Sequence, residues 1–123
     1  MSRPVAERVL AAQGAHDPEA LAWCYAPEAT VWPTGWPAAA PAAEWIAAAP
    51  VIFERFPDLV FEHLNTMVDG ELCALELRMT GTDQTTGEPM TASGVVVLET
   101  RDDLVVRERH YWLYADAPAT VTV

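Results

Sequence analysis

Positive charge is scarce in this chain. Seven Lys and Arg residues against eighteen Asp and Glu leave a formal charge of −11. A surface of that sign repels phosphate backbones and anionic lipid, which excludes nucleic-acid binding and membrane-surface binding. Cysteine is scarce too. Cys24 and Cys73 stand apart and match no zinc or redox spacing, so they read as buried thiols. No run approaches the ~18 apolar residues of a membrane span. The opening residues carry Arg3, Glu7 and Arg8 and lack the apolar core of a secretory signal. The expected location is the cytoplasm. A glycine-rich phosphate loop, a serine-centred elbow and a Cys–His dyad are missing as well; Gly81 and Gly87 flank a polar turn without lysine. Glu108, His110 and His63 have no recognised metal-ligand spacing, so neither a metal nor a cofactor is expected.

What is present is ample apolar material. The chain has 123 residues, 51% of them hydrophobic and 20% charged, which fits one domain over 1–123 with a core of its own. The front half reads as helical. Pro4 suits a first turn, Val5, Val9 and Ala12 form a stripe with Leu10 beside it, and Gly14 ends the helix. Asp17 and Pro18 start a second helix carrying Leu21, Cys24 and Tyr25, which Pro27 stops. Residues 30–32 are β-prone and 32–37 form a loop. A third helix spans 41–56, with Pro50 expected to break or kink it. Trp23, Trp45 and Phe53 are expected in the core between helix and sheet.

From Asp58 the period changes to two. Strands are expected over 59–67, 72–80, 90–100 and 104–114, joined by a tight turn at Asp69 and Gly70, a polar loop, and a turn at 101–103. The tail over 115–123 either adds an edge strand or frays. Helices followed by a meander of long antiparallel strands define an α+β fold. Such a sheet curls into a cone whose mouth makes a pocket.

The last strand is the most informative. Val106, Glu108, His110 and Trp112 share one face, while Val105, Arg107, Arg109, Tyr111 and Leu113 share the other. Burying two unpaired guanidiniums costs far more than burying one His beside one Glu. The Glu108/His110/Trp112 face therefore turns inward and the arginine face outward, with Glu76 and Arg78 as charge partners outside. By the same parity Cys73, Leu75, Leu77 and Met79 point inward as an apolar wall. His63 shares parity with Leu59, Phe61 and Asn65, so it reaches the hollow if that face is internal. His16 reads as surface.

The order of these pieces resembles the nuclear-transport-factor-2-like superfamily, and within it the SnoaL-like proteins of the polyketide cyclase group. The resemblance is carried by residues 17–21 (DPEAL), 25–32 (YAPEATVW), 56–59 (FPDL), Gly81 with Thr82, 94–99 (GVVVLE) and 106–112 (VRERHYW). It implies a cone-shaped, curved antiparallel sheet with three N-terminal helices packed on it, a small-molecule ligand inside the cone, and a homodimer. Limonene-type epoxide hydrolases of this superfamily carry a catalytic Asp where His110 stands, but their other acid and its arginine fall near the apolar Met79 and Leu77. The ketosteroid isomerase set falls near Pro33, Val9 and Val95. The closing Asp usual in SnoaL-like proteins is Leu113 here. The reaction class therefore stays open.

Within that frame His110 is the candidate general acid/base, Glu108 its orienter and His63 an auxiliary proton carrier. Trp32, Thr34 and Trp36 sit near the mouth, where tryptophans can stack on a planar ligand. Asn65, Leu75, Leu77, Met79 and Trp112 complete the candidate ligand contacts. The expected activity is a cofactor-independent cyclization or isomerization of an apolar, polyketide-like or aromatic ligand. A non-catalytic binder using the same cone is the alternative.

Overall fold

A computed structural model describes residues 2–114; the tail over 115–123 lies outside the described residues. Three helices, α1 (Ser2–Gly14), α2 (Pro18–Ala22) and α3 (Ala42–Arg55), accompany six strands: β1 (Tyr25–Trp32), β2 (Ala40–Pro41), β3 (Val60–Asp69), β4 (Leu72–Thr82), β5 (Pro89–Arg101) and β6 (Leu104–Tyr114). The strands form one curved, unclosed sheet in the order β2-β1-β6-β5-β4-β3. The expected α+β architecture is present, with one topological addition. β1 runs parallel to β6, so the front of the chain closes onto its last strand. Among the described residues no helix is long and apolar enough to cross a membrane.

Local chemistry explains the long strands. β5 and β6 are joined by the two-residue turn Asp102-Asp103, with φ values of 53° and 62°. Positive φ at both central positions gives the twist that a tight hairpin needs. Arg8 Nη2 donates to the Asp103 carbonyl at 2.5 Å and ties this turn to α1. β3 and β4 meet at the Asp69–Leu72 pair, with Gly70 at φ 59° in the turn.

The core lies between the helices and the inner face of the sheet. Val5, Leu21, Val31, Leu75, Leu98 and Val105 are fully buried there. Burying a Val or Leu side chain stabilises the fold by about 1.5–3 kcal/mol. α2 is held at its start by Asp17, whose side chain accepts from the Ala20 N–H at 3.1 Å. His16 is half-buried rather than on the surface. Its ring stacks on Phe53 with centroids 4.5 Å apart, and its Nε2 meets the Leu59 carbonyl at 2.7 Å. That contact joins the α1–α2 connection, α3 and the start of β3.

Several local expectations are corrected. α2 ends at Ala22, and Tyr25 opens a strand instead of closing a helix. Between the Tyr25–Val105 and Thr30–Arg107 pairs β1 carries extra residues, Pro27 among them. A bulge needs no ladder N–H from proline. Trp23 is 78% exposed and outside the core. Pro50 does not end α3; it sits on the solvent side of a helix that continues to Arg55. Val105 is buried despite its parity with the arginines, because the register shift between Glu99 and Thr100 leaves one extra residue on β6. The outward arginines pair with Glu99, which meets Arg107 and Arg109 at 3.3 Å each, while Arg78 faces Glu62 at 3.6 Å.

Candidate functional site

A cavity of about 260 Å³ lies between the inner face of the sheet and helices α1 and α3. Its walls are mostly hydrocarbon and aromatic, with Gln13 and Thr34 as polar exceptions beside the β6 residues. β4 supplies Leu75, Leu77 and Met79, β5 supplies Val96, α1 supplies Val9 and Leu10, and α3 supplies Trp45 and Phe53. β6 brings Glu108, His110 and Trp112 to the same space. Alternation along β6 produces this set: after the bulge near Val106, every second residue faces inward.

Glu108 is 1% exposed, and Oε2 lies 2.5 Å from His110 Nε2. Its other oxygen, Oε1, accepts a hydrogen bond from the Tyr25 hydroxyl at 2.6 Å. Each carboxylate oxygen of Glu108 thus has its own polar partner. Burial first, and the Glu108 charge second, push the Tyr25 phenol well above its ordinary value, so it stays a donor. The imidazole is flanked by Trp45, whose ring meets it edge-on with centroids 5.6 Å apart and whose Nε1 lies 3.4 Å from Nε2. Nε2 is thus shared: the Trp45 indole N–H donates to it, and Glu108 Oε2 lies against it, with the donor in that second contact set by the ring's tautomer. Among the described residues, buried side-chain polar atoms all have partners.

Thr34 holds the mouth together. Its hydroxyl donates to the His110 carbonyl at 3.0 Å and accepts the Trp112 N–H at 2.9 Å. One side chain thus satisfies the backbone of β6 on both sides of Tyr111. Trp36 and Pro33 line the cavity beside it. Trp32 does not. It lies outside with its indole N–H donating to the Trp36 carbonyl at 2.8 Å, which shapes the loop rather than the pocket.

Of the residues singled out in the sequence, Glu108, His110, Thr34, Trp36, Leu75, Leu77, Met79 and Trp112 come together around this space. His63 and Asn65 do not. His63 pairs with Leu77 but sits exposed on the edge strand β3, its ring tied to the Thr66 hydroxyl. Asn65 follows a one-residue bulge at Leu64 that puts it opposite the outward Glu76. Parity counted through a bulge inverts, and the sequence carries no mark of this one. Two residues join the site without a site role in the sequence: Tyr25, read on a helix, and Trp45, read as core, which does pack against the core cluster and also lines the cavity. Nothing local announces Tyr25, whose partner lies 83 residues away.

Residues 6–108 match the profile of the SnoaL-like domain, and the chain belongs to that family. No curated protein matches the chain. Solved structures with the same fold include AclR of Streptomyces galilaeus, described as a candidate hydroxylase. It is 19% identical, with a TM-score of 0.80, over 91% of this chain and 74% of that one. IdmH of Streptomyces antibioticus, described as a candidate polyketide cyclase, is 19% identical with a TM-score of 0.81, over 91% of each chain. An NTF2-like protein of Burkholderia thailandensis E264 is 19% identical with a TM-score of 0.78, over 89% of this chain and 88% of that one. At these identities the likeness establishes the fold.

Proposed function

We propose that this SnoaL-like protein is a cofactor-independent cyclase or isomerase in which His110 moves a proton and Glu108 orients it. One observation carries the reading: the buried Glu108–His110 pair, at 2.5 Å, faces a mostly apolar cavity to which Gln13 and Thr34 add further polar side chains. In this reading the Nε2 proton is directed to Glu108, and Nδ1 carries the lone pair that accepts a proton. A ring closure of the aldol type then balances within the site. Nδ1 takes a proton from a carbon beside a carbonyl, the carbanion bonds to a second carbonyl carbon, and the imidazolium returns its proton to the new alkoxide. The chain contains no lysine, so amine catalysis through a Schiff base has no residue to use.

The ligand is small, ring-containing and uncharged. The cavity lies just below the ~300 Å³ lower end for drug-sized pockets. Among the described residues its lining includes no arginine, and the Glu108 carboxylate would repel an anion. The tryptophans Trp36, Trp45 and Trp112 suit a planar ring. The apolar lining alone would serve a carrier equally well; the buried acid–base pair favours catalysis. His63 has no part in this proposal.

The same reading includes a single domain over 1–123, a cytoplasmic location and a homodimer joined through the outer sheet face, where Trp32, Tyr111 and Leu113 are exposed. Light scattering at micromolar concentration tests the dimer. The catalytic role is tested by His110→Ala. Turnover of the ring-forming substrate should fall about 10²–10⁴-fold with little change in ligand affinity; undiminished turnover refutes the role.

A further inference from the structure

Tyr25 stands behind the acid–base pair rather than in front of it. Its hydroxyl meets Glu108 Oε1 at 2.6 Å, yet Tyr25 does not line the cavity, whereas Glu108 and His110 both do. The phenol is buried, and the carboxylate it serves is buried too. We propose that Tyr25 is a positioning residue that sets how tightly the Glu108–His110 pair holds its proton. The inference rests on the proton-transfer reading above and adds the residue that tunes it.

The surroundings leave this work to Tyr25. Glu108 has His110 as its hydrogen-bond partner on Oε2. Cys24, next in the chain, carries a thiol pushed up by burial, and Arg8 of α1 faces that thiol. β5 presents Leu98 opposite Glu108 and Val96 opposite His110, both apolar. α3 presents Trp45, a neutral indole. The neutral phenol is thus the donor that spreads the charge of Oε1, where an arginine would have fixed it.

The direction of the effect follows. A donor on Oε1 stabilises the carboxylate most when the imidazole beside it is neutral, because the charge is then uncompensated. Tyr25 therefore lowers the pair's affinity for a proton and keeps His110 available as a base. It also anchors the carboxylate against rotation, with Oε2 turned to Nε2. Tyr25 keeps its own proton throughout, and no bond to it forms or breaks.

The experiment is a pH titration of 15N-labelled histidine rings by NMR in the full chain, for the unaltered protein, Tyr25→Phe, Glu108→Gln and the double variant. Tyr25→Phe should raise the His110 midpoint by about one pH unit, the size expected for one hydrogen bond to a charged group. In the Glu108→Gln background the same change should move it hardly at all, because the coupling runs through the carboxylate. An unmoved midpoint in Tyr25→Phe overturns the proposal. So does an equal shift with and without Glu108, which marks a general packing effect. If Tyr25→Phe does not fold, a 13Cζ-tyrosine label in the unaltered protein reads the same link. A Tyr25 resonance that follows the His110 midpoint supports it, and a flat one overturns it. A protein that shows this coupling but loses no turnover in His110→Ala would remove the catalytic reading and leave the Tyr25 inference standing.

Discussion

Gly94 lies directly across the sheet from Trp112, and the absence of a side chain at one makes room for the other. A Cβ built on Gly94 would stand 2.3 Å from the Tyr111 carbonyl oxygen and 2.9 Å from both Cα and Cε3 of Trp112. Two of those three contacts are backbone, which cannot step aside. Gly94→Ala should therefore force β5 and β6 apart, at a cost of about 1–3 kcal/mol, and tilt Trp112 out of the cavity wall. Urea denaturation would register a lower midpoint with an unchanged slope. An unaltered midpoint would mean that β6 has slack at this point.

Thr34 makes a second prediction. Its hydroxyl bridges the His110 carbonyl and the Trp112 amide, but the site is exposed, so water can replace part of what is lost. Thr34→Val should cost about 0.5–1.5 kcal/mol and speed hydrogen exchange at the Trp112 amide. Thr34→Ser should restore both. Exchange at Trp112 that ignores the hydroxyl would contradict the bridging role.

Acid sensitivity follows from two carboxylates away from the cavity. The Arg55 guanidinium first, and the Thr85 hydroxyl next, hold the Asp83 carboxyl well below the usual carboxylate range. The Thr82 backbone N–H and then its hydroxyl, each at 2.8 Å, lower that of Asp58. In the unfolded chain both return to about 3.9. The unfolded chain then binds more protons, so these groups stabilise the fold above that pH and lose their contribution as pH falls through the depressed folded values. Thermal unfolding followed downward from neutrality should show the melting temperature falling in that acid window. Asp83→Asn should flatten the fall. An equally steep fall in Asp83→Asn would remove Asp83 from the account.

Ligand charge is a further discriminator. Among the described residues Glu108 faces the cavity with no arginine to receive an anion, so matched probes should separate cleanly. 2-Naphthol should bind about ten-fold or more tightly than 2-naphthoate, since a buried carboxylate would lack a partner. Calorimetry or intrinsic tryptophan fluorescence reads this. Equal affinity, or tighter binding of the acid, would contradict an uncharged ligand.

Much of this arrangement was legible in the sequence where the physics is local. The alternation in 59–114, together with turns of two residues, located β3 to β6 closely. The inward turn of Glu108 and His110 followed from the cost of burying Arg107 and Arg109 instead. What could not be read was non-local or irregular. Tyr25 joins the site only because β1 runs parallel to β6, a pairing that no neighbouring residue signals. Asn65 leaves the expected face because of one extra residue at Leu64, and an apolar leucine there looks like any other strand residue. Trp45 was expected as core packing, and it does line the wall; its approach to His110 depends on how α3 crosses the sheet.

The most direct measurement concerns the three histidines. Ring 15N spectra of the protein with and without 2-naphthol assign each imidazole's tautomer and its response to ligand. The account expects His110 alone to respond, with its neutral form protonated on Nε2 toward Glu108, while the His16 and His63 resonances stay put. A silent His110, or one whose neutral form carries its proton on Nδ1, would contradict it.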